Sequence, residues 1–455
     1  MKHSKLTMIS LSLFLIIILC SCQPEFPTMV TFNTNGGTPV KSISLYDTNK
    51  LNLPEFTDIF YSKEDIYTPY ELEQLNFKVN FDFEDEKLNM PTYKYNAWFD
   101  GWYTDKDLMN KFNADKKISD SITLYAKWID VPTGYDMYNN LEFELSDDGL
   151  YYNVTKIKET SIPIIVIPSK FNDLPVKYVS GGSYLQSSIL LFEDNSNIEY
   201  INENAFKGSM LEFVQLPKTL KELKTSAFED CTMLQFVDFM CDGNLTTIGN
   251  YVFSNCIKLN NLILPANIES IGDEAFRDCI NLSNIYYYDL CLSLYNIGKY
   301  AFESCSSLTK IYIPRNVDFL SEGIFYNCTS LERVFYYNQY GIDVNDKAFY
   351  GCESLQHIDV GAICQYIGEE AFANCTSLNS ILLSVNVKDI GYNAFYNCIN
   401  LNTLYTNTND IGWYEYYLKY ISTLEGETSP MYYVKQVYIR EDNGTIRLYD
   451  ENNIK

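Results

Sequence analysis

The sequence predicts a repeat protein of the α+β class, in which a solenoid with a parallel β ladder and short helical or irregular turns follows a small β domain. Two observations carry this prediction. Nine phenylalanines recur between residues 206 and 395 at spacings of 22 to 26, and the same apolar positions return around each of them. Nearer the N-terminus, short stretches alternate apolar and polar residues, as strands with one buried face do.

Composition narrows the classes of function. The formal charge of −25 disfavours a nucleic-acid binder, because phosphate recognition depends on a basic surface. Apolar residues make up 46% of the 455 residues, which is enough for a large core. Only two histidines are present, so a multi-histidine metal site or acid–base site is excluded. We expect no catalytic residue, no cofactor and no metal.

The N-terminal segment has the pattern of an export signal. Lys2 and Lys5 precede an apolar run from Leu6 to Leu19, which is too short to cross a bilayer comfortably and is typical of a signal-peptide core. The run ends in Leu19-Cys20-Ser21-Cys22, which resembles the bacterial lipobox.

The resemblance to a lipobox implies that residues 1–21 are a lipoprotein signal peptide and that Cys22 is the lipid-attachment residue. Residues 22–28 are then a lipidated tether that holds an exported chain on the bacterial cell membrane, facing outside, with the lipid as its contact to the membrane. An ordinary secretory signal with an incidental cysteine is the alternative.

A small β domain is expected over residues 29–129. Val30 to Thr38 is an alternating strand that runs into a Gly-Gly turn, and Phe99 to Asp105 and Ile122 to Trp128 supply further pieces. Together these segments resemble the Listeria–Bacteroides repeat, a β-grasp-like module also found in internalins. The stretch from Leu53 to Pro91 departs from that pattern and indicates an insertion.

Three aromatic residues of this domain, Trp102, Tyr125 and Trp128, are interpreted as its core, because small cores depend on large side chains. Exposed aromatics that stack on a ligand are the alternative. A linker is predicted at residues 130–137, around Pro132 and Gly134.

The repeats occupy residues 198–405. In the unit on Phe276, Ile271-Gly272 lies upstream and Cys279, Leu282 and Ile285 lie downstream. A period of this length with a Leu-x-x-Ile-x-Leu pattern predicts a leucine-rich-repeat solenoid, in which each coil contributes one short strand and one irregular or helical turn. The units in which Ala-Phe-x-x-Cys follows Ile-Gly resemble the BspA-like leucine-rich repeats of bacterial surface proteins.

Caps are predicted at both ends of the solenoid, because terminal repeats need an atypical cover. Residues 138–197 form the N-terminal cap, with strands at Leu141–Leu145 and Ile162–Pro168. Residues 406–455 form the C-terminal cap, with a hairpin around Asn443-Gly444 that blunts the exposed strand edge.

Eight of the 13 cysteines follow a repeat phenylalanine by three residues, so stacked coils place them in one file. Parallel side chains in a file do not form a tetrahedral ligand set and fit disulfide geometry poorly. We therefore predict free, buried thiols. The eight are Cys231, Cys256, Cys279, Cys305, Cys328, Cys352, Cys375 and Cys398.

Three classes of function compete. An enzyme would have to use His357 and Asp359, which share a strand face, but a shallow solenoid surface offers them no cleft. A structural surface-layer protein explains the anchor and the repeats. A binding protein is the third class, because solenoids present extended concave surfaces. Resemblance to BspA-like proteins, which adhere to host matrix proteins and cells, implies an adhesin-like role toward an extracellular protein or glycan.

The predicted binding site is an aromatic and cationic patch on the concave face of three neighbouring coils. Between Ile201 and Tyr405 there are 12 basic and 23 acidic residues, so two cations beside five aromatics are a local exception. The bland alternative is that tyrosine simply suits exposed strands. The predicted patch residues are Tyr286, Tyr288, Lys310, Tyr312, Arg333, Phe335 and Tyr337.

Overall fold

The computed structural model describes residues 28–33, 43–45, 97–111, 122–130, 138–158, 164–406, 436–440 and 446–448, with short gaps at 188, 194, 240–242, 288–292, 337–341, 362–363 and 384–385. The predicted signal peptide, Cys22, most of the tether and the 53–91 insertion lie outside these residues. Among the described residues there are strands and turns but no helix, and hence no helix with the length and hydropathy to span a bilayer.

The chain divides into two compact units. The first holds a mixed four-stranded sheet in the order β2-β1-β4-β3, in which β1 and β4 are parallel and the two outer pairs are antiparallel. Tyr103 and Leu124 are buried there, and Tyr125 is half-buried. The side chains of Trp102 and Trp128 lie outside the described part. The strands are β1 (Thr28–Asn33), β2 (Ile43–Leu45), β3 (Ala97–Tyr103) and β4 (Ile122–Asp130).

The second unit is the predicted solenoid, and each coil carries two short strands rather than the single strand expected. One strand of three or four residues follows each Leu of the repeat, and these strands pair in parallel in four successive groups, which together we call the long-strand ladder. Its members are β7 (Ile164–Ile167), β10 (Ile189–Phe192), β12 (Phe213–Gln215), β14 (Phe236–Asp238), β16 (Asn261–Leu264), β18 (Asn284–Tyr287), β20 (Lys310–Ile313), β22 (Arg333–Tyr336), β24 (His357–Asp359), β26 (Ser380–Leu383) and β28 (Thr403–Thr406).

The additional strand of each coil has two residues and ends at the Ile of the Ile-Gly step or at the equivalent apolar residue. These strands pair in parallel in two successive groups, which together we call the short-strand ladder. Its members are β11 (Tyr200–Ile201), β13 (Glu222–Leu223), β15 (Thr247–Ile248), β17 (Ser270–Ile271), β19 (Asn296–Ile297), β21 (Phe319–Leu320), β23 (Asp343–Val344), β25 (Tyr366–Ile367) and β27 (Asp389–Ile390).

Atypical strands pair with the ladders at both ends of the described solenoid. At the N-terminal end, β6 and β9 extend the short-strand ladder and β5 pairs antiparallel with β6. At the C-terminal end, β29 pairs in parallel with β28 and turns back antiparallel into β30. The remaining strands are β5 (Leu141–Leu145), β6 (Tyr152–Ile157), β8 (Lys170–Phe171), β9 (Leu174–Val179), β29 (Gln436–Arg440) and β30 (Ile446–Leu448).

Glycine in the Ile-Gly step lets neighbouring coils approach closely. The amide of Gly272 donates to the carbonyl of Ile248 in the preceding coil, at 2.8 Å. A Cβ on Gly272 would lie 2.6 Å from the backbone nitrogen of Asn250, and one on Gly298 would lie 2.5 Å from that of Asp273. Contacts this short do not occur, so a side chain here would push the coils apart.

The repeat phenylalanines form one continuous stack through the core. All nine rings are buried, and each lies nearly parallel to the next, as in the Phe276–Phe302 pair, whose centroids are 5.4 Å apart. The backbone stacks with them, since the Phe276 amide donates to the Ala301 carbonyl of the next coil at 2.8 Å. The core is therefore a set of files that run along the solenoid, in which equivalent positions of successive coils stack on one another.

Candidate functional site

Two neighbouring strands of the long-strand ladder carry the described part of the predicted patch. In β20 and β22 the pairing sets Lys310 opposite Arg333 and Tyr312 opposite Phe335. Alternate residues of β20 are buried, so Lys310 and Tyr312 share the outward face. We call Lys310, Tyr312, Arg333 and Phe335 the outward patch, and Lys310 with Arg333 the cation pair.

The two rings of the outward patch stack on each other. Their centroids are 4.7 Å apart and their planes are inclined by 15°. Both rings are half-buried, and the hydroxyl oxygen of Tyr312 is fully buried, with the ring packed against the core. The facing surfaces of the rings are thus occupied by one another. The stack therefore leaves no room for a sugar ring between Tyr312 and Phe335.

Of the other predicted patch residues, only Tyr286 lies in a described strand. Tyr286 lies in β18, where it pairs with Ile263 of β16, but its side chain is outside the described part. Tyr288 and Tyr337 also lie outside it. Within the described residues β16 and β18 form one pair and β20 and β22 another, so the continuous three-coil ladder that the spacing predicts is seen there as two separate pairs.

The cation pair differs from the cations on another face of the solenoid, which form ion pairs between coils. In the turns around the phenylalanines, which we call the turn face, a cation of one coil meets an acid of the next. The Lys207–Glu229 and Lys299–Glu322 pairs are 2.8 and 2.9 Å long. Arg277–Glu303 and Lys347–Glu370 repeat the arrangement at 3.7 and 3.9 Å.

Lys310 and Arg333, in contrast, face each other. Within the described part of the chain neither makes an ion pair, and Arg333 is exposed while Lys310 is half-exposed. Two unit charges about 5 Å apart repel by roughly 1 kcal/mol in water. Like charges set opposite each other on neighbouring strands destabilise a sheet. The cation pair is therefore not a device for stability.

On the two neighbouring coils, the positions that match Lys310 and Arg333 hold uncharged side chains. The matching position one coil earlier is Asn284, whose amide donates to Asn261 at 3.1 Å. One coil later it is His357, whose Nδ1 lies 2.8 Å from the Ser380 hydroxyl. Burial lowers the pKa of His357 below its ordinary 6.5, so the imidazole is neutral at neutral pH. The positive charge is confined to two coils.

His357 and Asp359, the pair weighed as an acid–base site, are each bonded elsewhere. Asp359 accepts a hydrogen bond from the Gly361 amide at 2.7 Å, and His357 pairs with Ser380. Among the described residues no group of three or more potential metal ligands comes together.

The predicted file of free, buried thiols is confirmed. All eight repeat cysteines are free and buried, and each Sγ donates to the carbonyl of the phenylalanine one coil earlier, as Cys328 does to Phe302 at 3.1 Å. Burial raises the pKa of every repeat thiol for which a shift is resolved, to about 12 for Cys231. In the first coil Ser209 replaces cysteine and donates in the same way to Gly182 at 2.8 Å. The file holds the turns together and is unreactive.

The sequence reasoning missed a second aromatic file, on the short-strand ladder near the N-terminal cap. The rings of Tyr178 and Tyr200 stack at 5.1 Å, and Tyr151 lies 5.5 Å from Tyr178. Lys177 and Lys224 cover its two ends, 5.5 Å above Tyr151 and 5.3 Å above Tyr200. A tyrosine recurring 22 residues apart before an apolar residue was the available signal. The rings of this file stack on one another and the two lysines cover its ends, so we interpret the file as stabilising the cap.

These features define the class of protein: a leucine-rich-repeat solenoid whose coils share a uniform interior and differ on the outside. The model of the BspA type leucine rich repeat region matches in six copies that together run from residue 144 to residue 425. The matches cover more than half of the chain, and the chain belongs to this family. The Listeria-Bacteroides repeat domain matches residues 77–127, within the predicted 29–129 module. Both kinds of repeat are typical of bacterial surface proteins.

Several solved structures are similar to the chain. A Treponema pallidum leucine-rich repeat protein is 23% identical with a TM-score of 0.37, over 48% of this chain and 89% of its own. A leucine-rich repeat protein from Bacteroides ovatus is 22% identical with a TM-score of 0.35, over 58% and 93%. The pneumococcal vaccine antigen PcpA is 17% identical with a TM-score of 0.36, over 59% and 86%. No curated protein matches the chain.

Leucine-rich repeat proteins are typically non-enzymatic binding scaffolds that mediate protein–protein interactions. The predicted absence of catalysis accords with this class. The site residues themselves are matched by no comparison and enter the proposal that follows.

Proposed function

We propose that this protein is an exported, lipid-anchored surface protein that binds a partner on a host or neighbouring cell, in an adhesin-like role. The binding surface is the outward face of the long-strand ladder around β20 and β22, the face expected to be concave. The cation pair carries the proposal: a chain of net charge −25 keeps two unneutralised cations side by side next to two aromatic rings. Tyrosine and arginine are also prominent among interface hot spots.

Tyr286, Tyr288 and Tyr337 are proposed to extend the outward patch, and their positions rest on the repeat spacing. The family supports a place at the cell surface, and the lipobox-like sequence supports Cys22 as the anchor. Labelling with radioactive palmitate tests the anchor: the mature chain should take up label, and Cys22→Ala should not. Equal labelling of both would remove the anchor from the proposal.

A matched pair of stacked rings on the same ladder makes the binding test specific. Phe213 and Phe236 pair in register on β12 and β14, with centroids 5.8 Å apart and planes inclined by 10°. Both rings are half-buried, like Tyr312 and Phe335. Both pairs are thus stacked rings on neighbouring strands of the long-strand ladder, and the described residues place no like-charge cation pair beside Phe213 and Phe236.

The experiment compares Tyr312→Ser with Phe335→Ser against Phe213→Ser with Phe236→Ser, in the exported chain without its lipid. Binding to host cells and to arrays of matrix proteins and glycans is measured after circular dichroism confirms the fold. We expect the first double variant to lose at least tenfold in affinity and the second to lose little. Full binding by a folded first variant would contradict the proposal. Absence of any partner for the unaltered chain would favour the structural surface-layer protein.

A further inference from the structure

We infer that the outward patch recognises an acidic polypeptide segment, in which carboxylates meet the cation pair and apolar atoms meet the edges of the Tyr312–Phe335 stack. This inference rests on the proposed function and names the chemistry of the partner. It starts from the repulsion between Lys310 and Arg333, because a partner that bears negative charge relieves it.

The arrangement of the cations indicates carboxylate as the complement. Lys310 and Arg333 are partner residues of one strand pairing, so their charged groups are carried on stems that start one coil apart. Arginine binds a carboxylate through two parallel hydrogen bonds, and lysine adds a mobile charge beside it. Glu332, next to Arg333 in the chain, is exposed and makes no ion pair within the described residues, so it does not neutralise the pair internally.

The ring geometry decides between a polypeptide and a sugar. An aromatic ring binds a sugar or a cation through its face, which carries the negative part of its quadrupole. Here one face of Tyr312 and one face of Phe335 cover each other at 4.7 Å, so no sugar ring fits between them, and the ring edges, which carry positive partial charge, lie on the same strand pair as the cation pair. Edges and cations together favour an electronegative partner with apolar side chains between its acids. That is the chemistry of an acidic polypeptide segment.

A substitution of Arg333, compared with a matched control, separates recognition by the cation pair from a general effect of net charge. Arg333→Glu turns the cation pair into an opposite-charge pair like those of the turn face. Arg315→Glu makes the same change of charge at another exposed arginine, in the turn that follows β20. Arg315, like Arg333, makes no ion pair within the described residues, which makes it a matched control.

The probe is the random copolymer of glutamate and tyrosine, immobilised, with heparin as the sulfated-polysaccharide arm. We expect the unaltered chain to bind the copolymer at low salt and to be released as salt rises. Arg333→Glu should weaken this binding by about tenfold or more, and Arg315→Glu should leave it near the unaltered value. The thermal midpoint of Arg333→Glu should stay unchanged or rise, because Lys310 gains an acid partner.

Four outcomes would overturn the inference. Equal losses in Arg333→Glu and Arg315→Glu would mean that net charge alone governs binding. Binding to heparin without binding to the copolymer would assign the patch to a sulfated glycan. A lower thermal midpoint in Arg333→Glu would make Arg333 a structural residue. If the aromatic double variant loses cell binding while Arg333→Glu keeps it, the proposed function stands and this inference fails.

Discussion

The turn face and the outward patch treat positive charge in opposite ways. On the turn face Lys207, Lys299 and Lys347 each meet a glutamate of the next coil. On the outward patch Lys310 meets Arg333. The chain has 59 acidic and 34 basic residues, so by composition an acid is more common than a base, yet a base lies opposite Lys310. The difference teaches that pairing a cation with an acid of the next coil is a feature of the turn face, and that Lys310 and Arg333 do not follow it among the described residues.

The turn face and the outward patch are both built on the same buried core. Raising the pH is the strongest test of that shared core, because it acts on the buried repeat thiols. The repeat thiols have pKa values above their ordinary 9.0 in the folded chain, for example about 12 for Cys231. Below pH 9 both states keep these protons. Between pH 9 and 12 the unfolded chain loses protons that the folded chain retains, so stability falls as pH rises.

The expected effect is large, because one unit of pKa difference corresponds to about 1.4 kcal/mol and seven repeat thiols have raised pKa values. Denaturant unfolding at pH 8, 9 and 10 should show a steep loss above pH 9. Replacing Cys305, Cys328 and Cys352 by serine should make that loss shallower, since serine keeps the hydrogen bond as Ser209 does and does not titrate. An identical pH profile in the triple variant would assign the alkaline loss to other groups.

Removing one ring of the phenylalanine stack tests the same interior at a single coil. Phe302 is fully buried between Phe276 and Phe325, and it lies between Lys299 of the turn face and Lys310 of the outward patch. Phe302→Ala should lower the free energy of unfolding by about 3–5 kcal/mol. Phe319, which is 45% exposed, provides the control, and Phe319→Ala should cost far less.

Both faces should respond to Phe302→Ala. Partner binding through the outward patch and protection of the turn amides from hydrogen exchange should fall together. If the turn amides lost protection while partner binding stayed intact, the two faces would be independent of each other. The assumption that they share one core would then be wrong.

Much of the solenoid interior could be predicted because every coil repeats the same physical requirement. The spacing of Phe276 and Phe302 and the recurrence of Cys279 predicted buried files, and the structure has them. The second strand of each coil was missed, because two residues such as Ser270–Ile271 are too short to give an alternating pattern.

The outward patch was predictable in its membership but not in its geometry. Alternation along β20 correctly placed Lys310 and Tyr312 on one face. Sequence does not tell whether two rings one coil apart turn their faces to a partner or to each other, since that depends on rotamers and on how closely the coils pack. The stacking of Tyr312 on Phe335 is therefore a finding of the structure that the spacing of the repeats did not predict.

The smallest expected effect bears most directly on the comparison. Glu322→Lys makes the turn-face pair with Lys299 into a like-charge pair, the mirror image of Arg333→Glu. At present Glu322 accepts from Lys299 at 2.9 Å and from the Tyr300 hydroxyl at 3.0 Å, and the Lys299 hydrogen bond is the main cause that lowers the pKa of Glu322. Because the pair is largely exposed and screened by water, we expect its loss to cost little stability.

Glu322→Gln separates the two contributions, since glutamine can still accept from Tyr300 but carries no charge. We expect Glu322→Lys to be less stable than Glu322→Gln by a few tenths of a kcal/mol at low salt, and we expect 1 M salt to remove the difference. Unfolding midpoints of the three chains at two salt concentrations measure it. If lysine and glutamine at position 322 cost the same at low salt, then like charges one coil apart carry no penalty in this solenoid. The exposed pair of Lys310 and Arg333 would then need no partner to explain it.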